Sequence, residues 1–418
     1  MGRLSSSRGS GVAIGELALL PAHYFNLVPM LGREYLRTGV AQAYAVKYAP
    51  TIAASPQLAL RGSLVSIPNV GTLSNSTIVS PNGGTTRLYH DGSAGGVASL
   101  STDSGASYSN IGVGSCGGPV AIACNASAFA VIQASNGGDA IIYSAPLAGT
   151  PWTARVTDTW NGNVWRNGNS FIATNNNAWV ALTGHNGGSS RVAYRSNASP
   201  EGTWIVGVGQ SYGNAAVGLV GIPGGNIVYA GSGGSTQVAT TADGATWTGR
   251  TLPSNGTWTP TSLCYTGSRC ILVGTATGTN KPMAHSTDGG ASWSLTTGLP
   301  ADMLASHSNC GIASDGAGTV ILWESVSGVT EFRFWRSTDH GVTWVEFYPL
   351  SSQAGGIGFS PTRMKWAQGC GFFIGGHSTS QAFTLTPAQM SNAAPDAIGV
   401  RIASAQIANV LNYYVRVL

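Results

Sequence analysis

The segment Ser286-Thr-Asp-Gly-Gly-Ala-Ser-Trp293 is one of four versions of a single pattern in this chain. The others are Ser101-Thr-Asp-Ser-Gly-Ala-Ser-Tyr108, Ser337-Thr-Asp-His-Gly-Val-Thr-Trp344 and the shorter Thr241-Ala-Asp-Gly-Ala-Thr-Trp247. We call these segments box turns. Asp in a tight turn accepts hydrogen bonds from backbone N–H groups two residues on, and Gly supplies a positive φ. The aromatic residue is expected to pack beneath the turn. Each box turn is therefore predicted to close a β-hairpin.

The box turns share the order Ser-x-Asp-x-Gly-x-Ser/Thr-aromatic, which resembles the Asp-box (BNR repeat) of sialidase-type β-propellers. The resemblance implies a propeller and specifies architecture far more than chemistry. The residues expected to build the turns are Asp103, Gly105, Asp243, Trp247, Asp288, Gly290, Trp293, Asp339, Gly341 and Trp344.

A hairpin of two short apolar strands also repeats along the chain. Seven copies begin 45 to 54 residues apart, at Ser76, Ala121, Ser170, Val217, Ser262, Cys310 and Met364. A turn module follows six of them, and in two cases, Tyr143–Trp152 and Tyr194–Trp204, it lacks the Asp. A fixed period of this length indicates a repeat architecture. We predict an all-β fold, a seven-bladed propeller of four-stranded blades over residues 61–388; six blades, with the Met364 hairpin as an appendage, is the alternative.

The seventh hairpin is followed by only one more strand, Ala382–Thr386. The segment Ser63–Pro68 is the candidate for the missing fourth strand. Closure by an N-terminal strand would protect the sheet edges of the ring. It would also place the chain's entry and exit in the same blade.

Composition excludes several classes of function. Charged residues make up 9% of the chain, against roughly 25% in typical soluble proteins. The net charge is +4, but the basic residues are scattered along the sequence and form no run. We therefore expect no nucleic-acid partner. No apolar run reaches the ~18 residues of a membrane span. The six cysteines form no CxxC pair, so we expect free thiols, no metal and no cofactor.

Residues 1–60 and 389–418 lack the repeat. They contain apolar, β-prone stretches such as Leu17-Ala-Leu-Leu20 and Tyr413-Tyr-Val-Arg-Val-Leu418. A terminus of this kind is expected to be held in a sheet or in an interface with a partner. These ends resemble those of structural tail and fibre proteins of tailed bacteriophages. The resemblance implies that both segments dock on other virion proteins.

Catalysis is not expected. Sialidases that share the repeat use an arginine triad, the first member of which lies in an Arg-Ile-Pro motif, whereas this chain has Ser66-Ile67-Pro68. Glu324 and Glu331 flank a loop of the sixth blade and are the candidate carboxylate pair; the alternative is a pair of solvated loop charges.

A binding face should use the second turns and the inter-blade links, because the box turns occupy the opposite face. Those segments are longest at Thr153–Gly168 and Val345–Arg363. An aromatic ring stacks on sugar C–H groups while polar groups fix orientation. The candidate glycan-binding residues are Trp160, Trp165, Arg166, His185 and Arg191. The alternative is that both Trp side chains pack under a loop.

These features together predict a non-enzymatic structural virion protein of a tailed bacteriophage, in the tail, baseplate or fibre. Its candidate ligand is a host surface glycan. Whether the chain forms a homo-oligomer is left open by the sequence. The alternatives are a secreted, sialidase-like glycoside hydrolase and a bacterial assembly-factor propeller, which this repeat type also resembles.

Overall fold

The part of the chain that the structure describes consists mainly of strands and tight turns. A computed structural model describes residues 17–19, 64–65, 77–81, 85–90, 98–104, 107–111, 120–134, 140–147, 151–158, 165–185, 191–207, 216–232, 237–253, 258–276, 282–304, 307–326, 332–347, 363–367, 371–375, 382–385 and 413–415. All regular elements in these ranges are β-strands, numbered β1 to β30 in chain order.

Two strands precede the repeats, β1 Leu17–Leu19 and β2 Leu64–Val65. Blades 1 to 3 comprise β3 Thr77–Val79, β4 Arg87–His90, β5 Ala98–Ser101, β6 Ser109–Asn110; β7 Val120–Cys124, β8 Ala128–Ala134, β9 Ala140–Pro146, β10 Thr153–Asp158; and β11 Trp165–Thr174, β12 Trp179–His185, β13 Arg191–Arg195, β14 Ile205–Gly207. Blades 4 and 5 comprise β15 Ala216–Gly221, β16 Ile227–Gly231, β17 Val238–Thr241, β18 Thr248–Arg250; and β19 Trp258–Tyr265, β20 Cys270–Ala276, β21 Met283–Ser286, β22 Ser294–Leu295. The remainder are β23 His307–Ser314, β24 Val320–Val326, β25 Phe332–Ser337, β26 Val345–Phe347 of blade 6; β27 Arg363–Ala367, β28 Gly371–Gly375, β29 Ala382–Leu385 of blade 7; and β30 Tyr413–Val415.

Among the described residues the strands form seven four-stranded antiparallel sheets, which are the blades of a β-propeller. The first strand of each blade contacts the first strand of the next, and β27 of blade 7 contacts β3 of blade 1, so the ring is closed. The predicted all-β propeller is confirmed. The hairpin at Met364 belongs to a blade of its own, with strand order β2-β29-β28-β27.

The seventh blade is closed by the N-terminal strand, as the sequence predicts. Leu64 lies opposite Phe383 and Val65 opposite Ala382, in antiparallel register. The start of β2 therefore lies beside the end of β29. In the other blades a third turn joins these two strand positions, whereas in blade 7 the chain is interrupted there.

Hydrophobic cores lie between neighbouring blades, because alternate residues of a strand face opposite sides of its sheet. Val228 and Ala230 of blade 4, for example, pack in one cluster with Leu263 and Leu272 of blade 5. The first strands approach so closely that a β-carbon on Gly218 would lie 2.6 Å from the Cβ atom of Leu263. Glycine is therefore required at this point of the inner ring.

The chain divides into two units, residues 62–387 and the two terminal stretches 1–61 and 388–418. In the second unit β1 pairs with β30, with Leu17 opposite Val415 and Leu19 opposite Tyr413. No helix in the described ranges is both long and apolar enough to cross a membrane.

Candidate functional site

Each full box turn is held by its aspartate, which gathers donors from both ends of the turn. In the turn of blade 5, Ser286 Oγ donates to Asp288 Oδ1 at 2.7 Å, the N–H of Ser292 donates to the same oxygen at 2.9 Å, and Ser292 Oγ donates to Oδ2 at 2.5 Å. These bonds, led by those from Ser292, lower the pKa of Asp288 to about 2. The turn is therefore built around an ionised carboxylate.

The same arrangement occurs at the two other full box turns. Asp103 accepts bonds from Ser101 and Ser107, and hydrogen bonds from Ser107 hold its pKa far below the ordinary range. Burial is the largest single influence on Asp339 and raises its pKa, but bonds from Thr343 and the neighbouring turn lower it overall. All three aspartates are accounted for by turn structure.

The predicted position of the donors is wrong for the full turns. In these the aspartate accepts from the backbone N–H four residues on, for example from Ser292 and from Thr343 at 2.8 Å. Only the shortened turn has the bond two residues on, from Ala245 to Asp243 at 2.9 Å. Deleting one residue moves the donors closer in sequence, so the rule drawn from short Asx turns applies only there.

The predicted positive φ is confirmed at two of the glycines. Gly290 has φ 87° and Gly341 has φ 81°, while Gly105 lies outside the described residues. The sequence did not indicate that the preceding residue is also left-handed, with φ 61° at Ser104 and at His340. Two successive positive φ values turn the chain sharply enough for the aspartate to reach across.

The aromatic residue packs on its own turn and also on the neighbouring blade. The indole Nε1 of Trp293 donates to the carbonyl of Gly290 at 3.0 Å, and Trp247 and Trp344 bond to Gly244 and Gly341 in the same way. The ring of Trp293 belongs to a core cluster that includes residues of blade 4. A box turn therefore fastens one hairpin and seals one inter-blade interface.

The degenerate turn of blade 3 replaces the missing Asp with other groups. Asn197 Oδ1 accepts from the N–H of Ser199 at 3.0 Å. The guanidinium of Arg195 donates to the carbonyls of Ser199 at 2.6 Å and Thr203 at 3.1 Å. The turn is therefore held by an amide and a cation in place of a carboxylate.

The candidate glycan-binding residues lie mainly at the ends of two strands of blade 3. Trp165 and Arg166 begin β11, His185 ends β12 and Arg191 begins β13. Trp165 lies directly opposite His185, and Arg191 lies opposite Thr183. The register brings these four residues to the edge of blade 3 that carries the second turn, while Trp160 lies outside the described residues.

The long link predicted at Thr153–Gly168 is shorter than expected. Thr153–Asp158 is the fourth strand of blade 2, and Trp165–Gly168 belongs to the first strand of blade 3. A register shift between Trp165 and Ser170 lets β11 continue past the regular ladder. The bulge interrupts the alternation of apolar and polar residues by which a strand is recognised in sequence.

Glu324 is not a solvated loop charge. It lies within β24 and is 1% exposed. Its Oε2 accepts from the N–H of Leu304 at 2.9 Å and its Oε1 from the indole of Trp335 at 2.7 Å. Both carboxylate oxygens therefore bind the protein itself, and Glu331, the other member of the candidate pair, lies outside the described residues.

The described cysteines are free thiols, namely Cys124, Cys264, Cys270 and Cys310. Cys264 lies opposite Ile271 and Cys270 opposite Tyr265, so the register does not pair the two thiols, as predicted. Burial raises the pKa of Cys270 and of Cys310 to about 12. Within the described ranges no three His, Cys, Asp or Glu side chains gather into a metal site.

Comparison with solved structures identifies the fold. The chain is similar to YCF48 bound to a D1 peptide, with 14% identity, a TM-score of 0.51, and coverage of 77% of this chain and 94% of that one. It is also similar to U3-55K, with 9% identity, a TM-score of 0.50 and coverage of 76% and 92%. The WD40 repeats of RRP9 match with 10% identity, a TM-score of 0.50 and coverage of 76% and 91%. Likeness at this level shows a β-propeller fold and nothing further.

No protein-family model matches the chain, and no curated protein matches it.

Proposed function

We propose that this chain is a structural virion protein of a tailed bacteriophage, a component of its tail, baseplate or fibre, and that its box turns are Asp-boxes. The observation that carries the proposal is where the chain leaves the ring. Leu64 lies beside Phe383, so the N-terminal segment enters and the C-terminal segment departs at one edge of one blade. Two apolar ends that depart together can act as a single anchor.

The point at which the chain enters and leaves blade 7 distinguishes the two faces of the ring. Third turns lie on the box-turn face, and in blade 7 the chain is interrupted at this position, between β29 and β2. The second turns, with Trp165 and His185 beside one of them, lie on the opposite face. A ring anchored by its tails would therefore turn the second turns away from the particle, which suits contact with a host surface.

The ligand proposed for this outer face is a host surface glycan. Trp165 and His185 are cross-strand partners, and Arg191 starts the following strand. The side-chain chemistry of Trp, His and Arg is suited to a sugar, because an aromatic ring can stack on it and an imidazole and a guanidinium can hydrogen-bond its hydroxyls. Wide, shallow contacts of this type are typically weak one by one, so several copies in a particle would gain by avidity.

The chemistry of the acidic residues supports a scaffold more than a glycoside hydrolase. A glycosidase usually needs two carboxyl groups facing the substrate. Asp103, Asp243, Asp288 and Asp339 are all bonded within their own turns. Glu324, the candidate catalytic residue, is buried under Leu304.

Incorporation into particles tests the proposal. Cells would express, as the only copy of this chain, the full protein, a deletion of residues 1–55 or a deletion of residues 412–418. Because β1 pairs with β30, each deletion removes one strand of the same ribbon, and both should abolish incorporation. The double variant Trp165→Ala, His185→Ala should be incorporated normally and lose host binding. Full incorporation of both truncated chains would refute the docking role.

A fluorogenic sialoside and a panel of bacterial polysaccharides test the enzymatic alternative. We expect no turnover by the purified protein. Reproducible cleavage would favour the glycoside hydrolase in place of the scaffold.

A further inference from the structure

The link between blades 5 and 6 is inserted into the interface that it crosses. It connects β22 with β23 on the face that carries the second turns, and we call its residues 300–304 the strap. Met303 is fully buried and Leu304 is 3% exposed. Both side chains belong to one core cluster with Val273 of blade 5 and Ile312 of blade 6. The strap therefore fills part of the core between the two blades.

The backbone of the strap is strained at Leu304. This residue has φ 53°, in the left-handed region. Three other non-glycine residues in the described ranges have such a φ, namely Ser104, Asn176 and His340, and each of them carries a polar side chain in a tight turn. The left-handed conformation is unfavourable for a bulky apolar residue. Other contacts must therefore hold Leu304 in place.

The main chain of the strap is bonded on both sides of Met303. The N–H of Leu304 donates to Oε2 of Glu324 at 2.9 Å. The carbonyl of Asp302 accepts from the guanidinium of Arg333 at 3.0 Å. Glu324 and Arg333 lie opposite each other on β24 and β25. Two cross-strand partners of blade 6 thus bind the same short peptide segment.

Glu324 is itself fixed by the sheet beneath the strap. It is almost completely buried, and its Oε1 accepts from the indole of Trp335 at 2.7 Å. On the other side it lies opposite Cys310 of β23, whose thiol donates to the carbonyl of Gly274 in blade 5 at 3.2 Å. The carboxylate is therefore preorganised to accept the N–H of the strap, and only the strap has to move for that bond to break.

We infer that the strap is a conformational switch of the second-turn face, which Glu324 holds closed against backbone strain and which opens while the ring stays folded. Burial of Met303 and Leu304 favours the closed state, whereas relief of the left-handed conformation favours opening. Opening breaks the bond to Glu324 and brings the two apolar side chains out onto the face that carries the second turns. The inference does not depend on the proposed virion role.

Hydrogen exchange on the full chain, read by mass spectrometry with and without sub-denaturing urea, tests whether the strap opens by itself. The amides of residues 300–304 should exchange through a local opening, and low urea should change their rate by less than about twofold. The amides of β24 should accelerate with urea, because they exchange when the ring unfolds. A parallel acceleration in both segments would mean that the strap opens only with the ring, which overturns the inference.

The variant Glu324→Met tests what holds the strap closed, because it removes the acceptor of the Leu304 N–H at similar side-chain length. Exchange in the strap should become about tenfold faster, while exchange in β16 changes less than about twofold. Asp302→Asn is the control within the strap, since it keeps the main-chain carbonyl that Arg333 binds, and it should leave exchange unchanged. Unchanged exchange in Glu324→Met, or an equal acceleration throughout the ring, would refute the role of Glu324.

A second pair of variants separates strain from packing. Leu304→Ala and Leu304→Gly both remove the buried side chain, but only glycine adopts a left-handed φ freely. The strap should therefore exchange about fivefold more slowly in Leu304→Gly than in Leu304→Ala. Equal exchange in the two variants would show that the backbone of the closed strap stores no strain, and the inference would fall. This comparison leaves Glu324 in place, so it decides the matter even if Glu324→Met does not fold.

Discussion

The α-carbon of Gly290 lies so close to Val228 of the preceding blade that a β-carbon on it would come within 2.9 Å of the Val228 side chain. Gly290 also has φ 87°. Two effects should therefore lower the free energy of unfolding of Gly290→Ala. One is the left-handed backbone conformation, and the other is a steric clash in a packed interface. We expect a loss of roughly 1–2 kcal/mol from the backbone and roughly 1–3 kcal/mol from overpacking. Urea unfolding measures the sum.

Gly298→Ala is the matched control for this variant. Gly298 has a similar φ of 73°, and a β-carbon there would meet nothing within 4 Å. It should show only the backbone cost. Equal losses of unfolding free energy in Gly290→Ala and Gly298→Ala would mean that the box turn is not in tight contact with the neighbouring blade.

The ring of Trp293 should contribute more stability than its hydrogen bond. Trp293→Ala empties a site shared with blade 4 and should cost about 3–5 kcal/mol. Trp293→Phe keeps most of the ring but loses the N–H bonded to Gly290, and should cost about 1–2 kcal/mol. Chemical denaturation of both variants gives the order, and a larger loss for Phe than for Ala would contradict it.

The carboxylate of Asp288 predicts a particular pH dependence. Its pKa of about 2 in the folded protein lies below the ordinary value of about 3.9, so its stabilising effect is complete above pH 4. The effect is lost as the pH falls through 2, because the folded state resists protonation. The difference in melting temperature between the unaltered protein and Asp288→Asn should shrink from pH 5 to pH 2. A difference independent of pH would show that the charge contributes nothing.

Glu324 should behave as a structural residue. Glu324→Gln offers an NH2 group to one of two N–H donors, from Leu304 and from Trp335. One buried donor then has no acceptor, which costs about 1–3 kcal/mol. Combined with Trp335→Phe, the loss should be smaller than the sum of the single losses, because the two side chains share a bond. Strict additivity would contradict this shared role.

The features predicted from sequence are those that repeat at short range. A box turn contains its own acceptor and glycine, and the hairpin of two short strands repeats seven times, so the turns, the blades and the closing segment at Ser63–Pro68 could be predicted, whereas the donor positions within the full turns could not. The hydrogen bonds between neighbouring blades were not predictable, because their partners are far apart in sequence, 73 residues in the case of Asn125 and Ala198. No local pattern reports which carbonyl a first-turn amide meets.

Two misreadings have a physical cause as well. Trp165-Arg-Asn-Gly-Asn169 reads as a loop because it is polar and contains Asn-Gly, yet it extends β11 beyond a bulge. Glu324 was interpreted as a surface charge because no donor for its carboxylate is evident nearby in sequence. Its donors are Leu304 and Trp335, which lie 20 and 11 residues away. The signal available for Glu324 was its place directly after the buried run Val320–Trp323.

The closing strand predicts a sharp boundary for N-terminal truncation. Deleting residues 1–60 leaves β2 in place and should not change the melting temperature of the ring. Deleting residues 1–66 removes Leu64 and Val65, the partners of Phe383 and Ala382. It should lower the melting temperature and promote association, because β29 becomes a free edge. Deleting residues 412–418 should leave the ring as stable as the full chain, since β30 pairs with β1 and not with a blade. Calorimetry and size-exclusion chromatography distinguish the three chains, and unfolding of the ring by the C-terminal deletion would assign the closing role to the wrong end of the protein.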